Sequence, residues 1–177
     1  GSYTFAVTIL DHFSGEDMRV YANGVLVSGT SDGTVYTYTV GNITADTVIT
    51  VEGVKADVYT VTYLVDGEIY HSENVVYTEK AQKPISPLKA GYTFEGWFIG
   101  NDEWDFAMGV ESNLALEAMF TPLTYHVTVP ENQSGFTVNV SSVNPVEYGG
   151  SFAFDIIVDD GYNTADMMVY ANGVLLE

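Results

Sequence analysis

The chain contains no cysteine. This absence excludes disulfide bonds, thiol catalysis and cysteine-ligated zinc. No run approaches the roughly 18 apolar residues that a transmembrane helix needs, so we expect no membrane insertion of this segment. Apolar residues also fail to recur at the three- and four-residue spacing of an amphipathic helix. The sequence therefore argues against helical and membrane-spanning folds.

Basic residues are also scarce. Lys and Arg number 5 against 24 acidic residues, which gives a formal net charge of −19. Phosphate-backbone binding depends on Lys and Arg, so we expect no nucleic-acid partner. High acidity favours solubility and self-repulsion along an extended molecule. Calcium binding by acidic loops is the alternative interpretation of the same charge.

Residues that favour β-strands are abundant. Aromatic residues make up 14% of the chain, with 13 tyrosines, and they alternate with many valines and threonines. Such residues suit the half-buried surface of a sheet. The 177 residues suffice for one large domain or two to three small ones. We therefore predict an all-β or mainly β fold built from tandem small modules.

A long-period repeat joins the two ends of the sequence. The run Tyr-Ala-Asn-Gly-Val-Leu at 21–26 recurs at 170–175, an offset of 149 (170 − 21). Fixed spacing of this kind marks an array. Asn-Gly between apolar residues predicts a tight hairpin in each copy, because both turn residues need positive φ. The predicted turn residues are Asn23, Gly24, Asn172 and Gly173.

The first copy of the repeat is followed by further predicted strands, whereas the second copy is preceded by them. We expect residues 3–54 to hold the late strands of this repeat and residues 123–177 its early strands, cut short. Val35–Val40 and Tyr125–Val129 are among the predicted strands. An unpaired sheet edge invites another strand. We therefore expect self-association of this chain by strand complementation, between chains or within one.

The middle segment carries the densest aromatic run. Its glycines and aromatic side chains predict a structural motif and no binding site, with Gly96 before Trp97 favouring a local bend that sends the indole into the core. The residues of this motif are Gly91, Tyr92, Phe94, Gly96, Trp97, Trp104 and Phe106.

Residues 58–121 resemble the internalin-type B-repeat, also called the Listeria–Bacteroides repeat. The resemblance rests on Val-Thr-Tyr-Leu-Val-Asp-Gly at 61–67, Gly-Tyr-Thr-Phe-Glu-Gly-Trp at 91–97 and Trp-Asp-Phe at 104–106. It implies a β-grasp-like module at 55–122, of a kind found in tandem in bacterial surface proteins and adhesins. The flanks resemble a second repeat type of Gram-positive surface proteins, expected as small antiparallel sheets or sandwiches.

No group of residues predicts chemistry, so we assign no catalytic, cofactor-binding or metal-binding residue. The acids around Trp104 are typical of a polar turn, and the cluster at 159–166 lacks the spacing of a calcium loop. His12, His71 and His126 are too far apart in sequence for a short metal-binding motif.

Two hypotheses of function follow. The first is a non-catalytic spacer of an extracellular, wall-associated adhesin, whose full-length form binds a protein or glycan on a host or neighbouring cell. The second is a module that itself binds glycan or protein, with exposed Tyr or Trp as stacking platforms. Burial of Trp97 and Trp104 would remove the best residues of the second hypothesis.

Overall fold

The computed structural model describes residues 1–176, and Glu177, the last residue of the predicted third segment, lies outside that range. Over the described residues the chain forms nineteen strands and no helix. The predicted all-β fold is therefore confirmed. Within the same range, no helix has the length and apolarity that a membrane span requires.

The N-terminal flanking segment, together with the first residues of the predicted middle segment, forms three small sheets. Strand alternation explains its burial: Tyr38 is buried, while its neighbours Thr37 and Thr39 are exposed. The strands are β1 (Tyr3–Thr8), β2 (Phe13–Ser14), β3 (Arg19–Ala22), β4 (Val25–Val27), β5 (Gly29–Ser31), β6 (Val35–Val40), β7 (Ile49–Glu52) and β8 (Lys55–Ala56). Their sheet orders are β1-β6-β5, β4-β3-β7 and β2-β8.

The middle segment forms one five-stranded sheet. Its strands are β9 (Val58–Val65), β10 (Glu68–Val76), β11 (Tyr92–Ile99), β12 (Asp102–Glu103) and β13 (Leu114–Pro122). The sheet order is β10-β9-β13-β11-β12. Its first and last long strands, β9 and β13, lie side by side and parallel, with Leu114 opposite Val61. The likeness to a β-grasp module stays a prediction.

The core of this segment follows from strand alternation. Val61 and Tyr63, two residues apart on β9, are fully buried, as is Leu116 on β13. Trp97 and Val110 are also fully buried. Burying each large apolar side chain stabilises the fold by about 1.5–3 kcal/mol. These residues therefore anchor the segment.

The C-terminal flanking segment forms three two-stranded sheets. Its strands are β14 (Thr124–Tyr125), β15 (Phe136–Val140), β16 (Val146–Glu147), β17 (Phe154–Val158), β18 (Tyr170–Ala171) and β19 (Val174–Leu175). They pair as β14-β16, β15-β17 and β18-β19, all antiparallel.

The strand predicted at Tyr125–Val129 is shorter than expected, since only its first residue belongs to β14. The reason lies in Val127. Its N–H donates to the Asn144 side-chain oxygen at 3.1 Å, and its carbonyl accepts from the Asn144 amide at 2.8 Å. At Val127 the Asn144 side chain thus takes the place of a neighbouring strand as the hydrogen-bond partner of the backbone.

Two compact units divide the described chain. The first comprises residues 1–87 and 96–119, and the second comprises residues 88–95 and those from 120 onward. This division runs through β11 and β13. The three-part division at 3–54, 55–122 and 123–177, which rests on the repeat and the resemblance, stays a prediction.

Candidate functional site

Both Asn-Gly hairpins have the backbone that their sequence predicts. Asn23 and Gly24 have φ values of 47° and 79°, and Asn172 and Gly173 have 48° and 81°. Positive φ at both central residues is the signature of the tight turn that matches strand twist. Each turn joins paired strands, β3 to β4 and β18 to β19. These residues therefore act locally, as connectors.

Asn23 has a second role that the sequence does not signal. Its side-chain oxygen accepts from the Val48 N–H at 2.9 Å, and its backbone N–H donates to the Val48 carbonyl at 2.9 Å. The side-chain amide also donates to the Asp46 carbonyl at 3.3 Å. The turn thus holds the chain just before β7, which pairs with β3.

Trp97 is the centre of the aromatic motif. Its side chain is fully buried. The Tyr63 ring meets it edge-on at a centroid distance of 5.0 Å, and the Tyr70 ring lies at 5.9 Å. Phe106 stacks on Tyr63 at 6.4 Å, and the backbone N–H of Trp104 donates to the backbone carbonyl of Trp97 at 2.8 Å. These rings fill one core, so Trp97 is closed to any ligand.

The Tyr63 hydroxyl ties three parts of the chain together. It donates to Glu73 Oε1 at 2.9 Å and lies 2.8 Å from the Gln82 carbonyl. The Gln82 N–H donates to the same Glu73 oxygen at 2.8 Å. Burial above all, then the hydrogen bond to Glu73 and its charge, raises the pKa of Tyr63 above the ordinary value of 10.0. The folded chain therefore favours the neutral phenol.

This arrangement predicts a loss of stability at alkaline pH. Because the pKa is raised in the folded state, the contribution of Tyr63 is complete below the unfolded pKa of about 10 and is lost as pH rises above it. Melting temperatures measured from pH 8 to 11 should therefore fall less steeply for Tyr63→Phe than for the parent. Tyr3→Phe, at an exposed strand position, is the control and should follow the parent. Equal slopes for Tyr63→Phe and the parent would contradict this assignment.

Gly91 lies where only glycine fits. Its φ is +79°, and a Cβ at this position would run into the Tyr148 ring. The Gly91 carbonyl accepts from the Leu123 N–H at 2.8 Å, and the Leu123 carbonyl accepts from the Tyr148 N–H at 2.7 Å. Tyr92 meets the same Tyr148 ring edge-on at 5.9 Å. The glycine thus lets a tyrosine of the flanking segment cover the start of β11.

The remaining motif residues also make packing contacts. Phe94 meets Phe120 edge-on at 5.7 Å. Gly96 is buried, and a Cβ there would lie 2.8 Å from Glu103 Oε1. Trp104 is half-buried, with its indole nitrogen shielded from solvent. The motif therefore offers packing surfaces and no convergent polar groups.

His12 makes a joint that sequence reasoning missed. Its ring stacks on Tyr77 at 4.3 Å, and its Nδ1 lies 2.7 Å from the Tyr59 hydroxyl. Its carbonyl accepts from the Asp57 N–H at 2.8 Å, and the Asp57 carbonyl accepts from the Tyr77 N–H at 2.8 Å. Burial, then the charge of Asp57, raises the pKa of Tyr59. A residue of the first repeat copy thus bonds to Tyr59 on β9 and stacks on Tyr77, which lies just after β10.

The repeat itself supports a special role for His12. The equivalent residue in the second copy is Gly161 (161 − 149 = 12), and both have positive φ, 67° and 90°. Positive φ is easy for glycine and uncommon for histidine. The first copy therefore carries a side chain at a position whose backbone favours glycine, and that side chain makes the joint.

We expect His12→Asn to loosen this joint without adding backbone strain, because Asn tolerates positive φ. Losing the ring stack and the hydrogen bond should cost about 1–2 kcal/mol. Amide hydrogen exchange should then be about tenfold faster at Asp57 and Tyr77. His126→Asn, at an exposed position, is the matched control. Unchanged exchange at both amides in His12→Asn would show that the ring contributes nothing.

One carboxylate in each acidic cluster accepts a backbone hydrogen bond. Asp105 Oδ1 accepts from the Ala107 N–H within its own turn at 2.8 Å, and Asp159 Oδ2 accepts from the Gly135 N–H, 24 positions away, at 3.0 Å. In the part of the chain that the structure describes, no three His, Asp or Glu side chains converge as a metal site would require. The predicted calcium alternative therefore gains no support from geometry.

With the fold in place, comparison with known proteins assigns the middle segment to a class. Residues 59–119 match the Listeria-Bacteroides repeat domain, so the predicted repeat is confirmed. This repeat is a module of internalin-type surface proteins. A relative that shares it is Internalin H of Listeria monocytogenes serovar 1/2a, which is 40% identical over 68 residues. The match covers 36% of this chain and 12% of Internalin H, so the chain spans a small part of that relative.

Proposed function

We propose that this chain is a non-catalytic spacer segment of a bacterial cell-surface adhesin. One observation carries the proposal: Trp97, at the centre of the repeat signature, is fully buried against Tyr63 and Tyr70. The residues of the motif that defines the module pack in its core. A module whose signature residues all serve packing suits a role in holding other domains in place.

The joints support the same role. His12 bonds the first flanking segment to the repeat within one compact unit, and Tyr148 covers Gly91 within the other. Contacts of this kind, added to short connections, restrict motion between successive modules. A spacer has to resist folding back, and the net charge of −19 opposes collapse through self-repulsion.

The proposed setting is the bacterial surface or cell wall, outside the membrane. The full-length protein would bind a host or neighbouring-cell protein or glycan through a distal domain. The chain itself would associate with further copies through its sheet edges. The rival hypothesis, a glycan-binding module, has lost Trp97 as a stacking platform and has only part of Trp104 left.

Display on a bacterial cell tests the spacer role. A binding domain of known ligand would be anchored through one, two or four copies of the chain, with an equal length of flexible linker as control. We expect capture of the ligand on a thickly coated target to rise with copy number and to exceed the linker control. Equal capture at every copy number would overturn the proposal. Saturable binding of the chain alone on a glycan array would favour the rival.

A further inference from the structure

The two copies of the repeat use opposite edges of the same strand. β1 and β17 are equivalent under the 149-residue offset, with Phe5 matching Phe154 and Ile9 matching Val158. β1 pairs with β6, whereas β17 pairs with β15. β6 comes after β1 in the sequence, whereas β15 comes before β17. If β6 and β15 use opposite edges, one strand of this type can pair with both of them at once.

Backbone hydrogen bonds identify the edges. The Ile9 N–H donates to the Thr34 carbonyl at 2.9 Å, continuing the register of β1 with β6. The Asp159 N–H donates to the Gly135 carbonyl at 3.0 Å, continuing the register of β17 with β15. Asp159 matches residue 10, the neighbour of Ile9. Because successive N–H groups of a strand point to opposite edges, β6 and β15 belong on opposite sides of this strand.

It follows that Phe154, Ile156 and Val158 direct their backbone groups to the edge where β6 lies in the first copy. Among the described residues, β17 has β15 as its sheet neighbour and no strand on this second edge. An unpaired row of N–H and C=O groups is a template for another strand. The first copy shows which strand the edge is built to take.

A cleft is lined by side chains of both β15 and β17, among them Phe136 and Phe154. It measures about 1020 Å³, and its walls include Phe154, Ile156, Val158 and Val169. Val20 of the first copy, which lies opposite Val51 of β7, is 1% exposed, whereas the matching Val169 is half-buried. The β17 part of this lining is common to both copies, since Phe154, Ile156 and Val158 match Phe5, Val7 and Ile9.

Tyr38 of β6 shows how the cleft would be filled. It lies opposite Phe5, its ring stacks on Phe5 at 5.6 Å, and it is 6% exposed. Phe154 is the equivalent of Phe5 and lies in the cleft wall. A strand of the β6 type carries no charge from Thr34 to Val40, so the acidity of the chain does not oppose its docking locally.

We propose that the Phe154–Val158 edge and its cleft form a docking site for β6 of a second copy of this chain. In its own copy β6 lies between β1 and β5, so docking would be a strand exchange in which β6 leaves β1, keeps β5 and pairs with β17. The strand would run antiparallel to β17, with Tyr38 stacked on Phe154. This deepens the self-association part of the proposed function and leaves the spacer role independent. A failed docking test would leave the display result untouched, so the two can be told apart.

A synthetic peptide covering Gly33–Gly41 tests the site directly. With a fluorescent label, it should bind the chain saturably in an anisotropy titration up to about 1 mM. In the first-copy register, Tyr36 and Tyr38 direct their N–H groups toward β1, whereas Thr37 directs its N–H away. N-methylation at Tyr36 should therefore weaken binding about tenfold or more, and N-methylation at Thr37 should not.

The matched N-methyl peptides leave the protein unchanged, so folding of a variant is not at issue. On binding, the amides of Phe154, Ile156 and Val158 should gain protection from hydrogen exchange. Equal affinity of both N-methyl peptides, protection at Thr4, Ala6 and Thr8 instead, or no binding would overturn the site. A chain that stays monomeric at every concentration in light scattering would overturn a second copy as the source of the strand.

Discussion

Replacing Trp97 by alanine is expected to lower the free energy of unfolding by about 3–5 kcal/mol, the usual cost of deleting a fully buried large aromatic side chain. The indole has no exposed surface and packs against Tyr63 and Tyr70. Its removal would leave a cavity among side chains on different strands. Because domains are stable by only about 5–15 kcal/mol, this loss would remove a large fraction of the stability of the repeat.

Urea denaturation followed by circular dichroism and by tryptophan fluorescence, which in the variant comes from Trp104 alone, measures this cost. Ile85→Ala is the matched control, since Ile85 is 86% exposed. Truncation there should change stability by less than about 0.5 kcal/mol. A Trp97→Ala cost below about 1 kcal/mol would mean that Trp97 does not hold the core, and the binding hypothesis would regain its best residue.

Gly91→Ala is the second large effect, and two separate causes contribute. A side chain at a φ of +79° is strained by about 1–2 kcal/mol. The new Cβ would also collide with the Tyr148 ring, and overpacking of this kind adds about 1–3 kcal/mol. We expect a total loss of about 2–5 kcal/mol. Hydrogen exchange at Leu123 and Tyr148 should report it, since their N–H groups bond across this contact.

Gly149 separates the two causes. Its φ is +75°, close to that of Gly91, but a Cβ there would meet no atom within 4 Å. Gly149→Ala should therefore show the strain alone. In the Tyr148→Ala background, Gly91→Ala should cost no more than Gly149→Ala. If Gly91→Ala and Gly149→Ala cost the same in the parent chain, the Tyr148 ring exerts no constraint at Gly91.

Local signals in the sequence predict local structure well. Asn23-Gly24 and Asn172-Gly173 specify their turns because positive φ is a property of the turn residues themselves. The alternation of Val, Tyr and Thr likewise predicts the strand at Val35–Val40, because the alternation is a property of the strand residues themselves. The repeat at 59–119 was recognisable from the glycines and aromatic residues at 91–97 and 104–106.

Contacts between distant residues left no such signal. His12 and Tyr59 are 47 positions apart, and nothing in a lone histidine predicts the ring that it meets. The Glu73 oxygen shared by Tyr63 and Gln82 depends on how β10 and the following loop come together. The shortened strand after Tyr125 depends on Asn144, 17 positions from Val127. Pairing choice is a property of the fold, and alternation within a strand cannot specify it.

The edge of β17 combines both kinds of information. The sequence repeat makes β1 and β17 equivalent, and the structure shows that they take different partners on opposite edges. Each copy alone would read as an ordinary edge strand. Combining the two copies predicts a sheet with four strands in the order β15, the strand equivalent to β1 and β17, β6 and β5.

The spacer role is tested most directly by length. Chains of one, two and four copies would be joined at the 149-residue period, so that residue 151 is followed by residue 3 of the next copy, and measured by small-angle X-ray scattering. We expect the maximum dimension to grow in proportion to copy number. Growth with roughly the cube root of mass, as in a compact particle, would contradict a spacer.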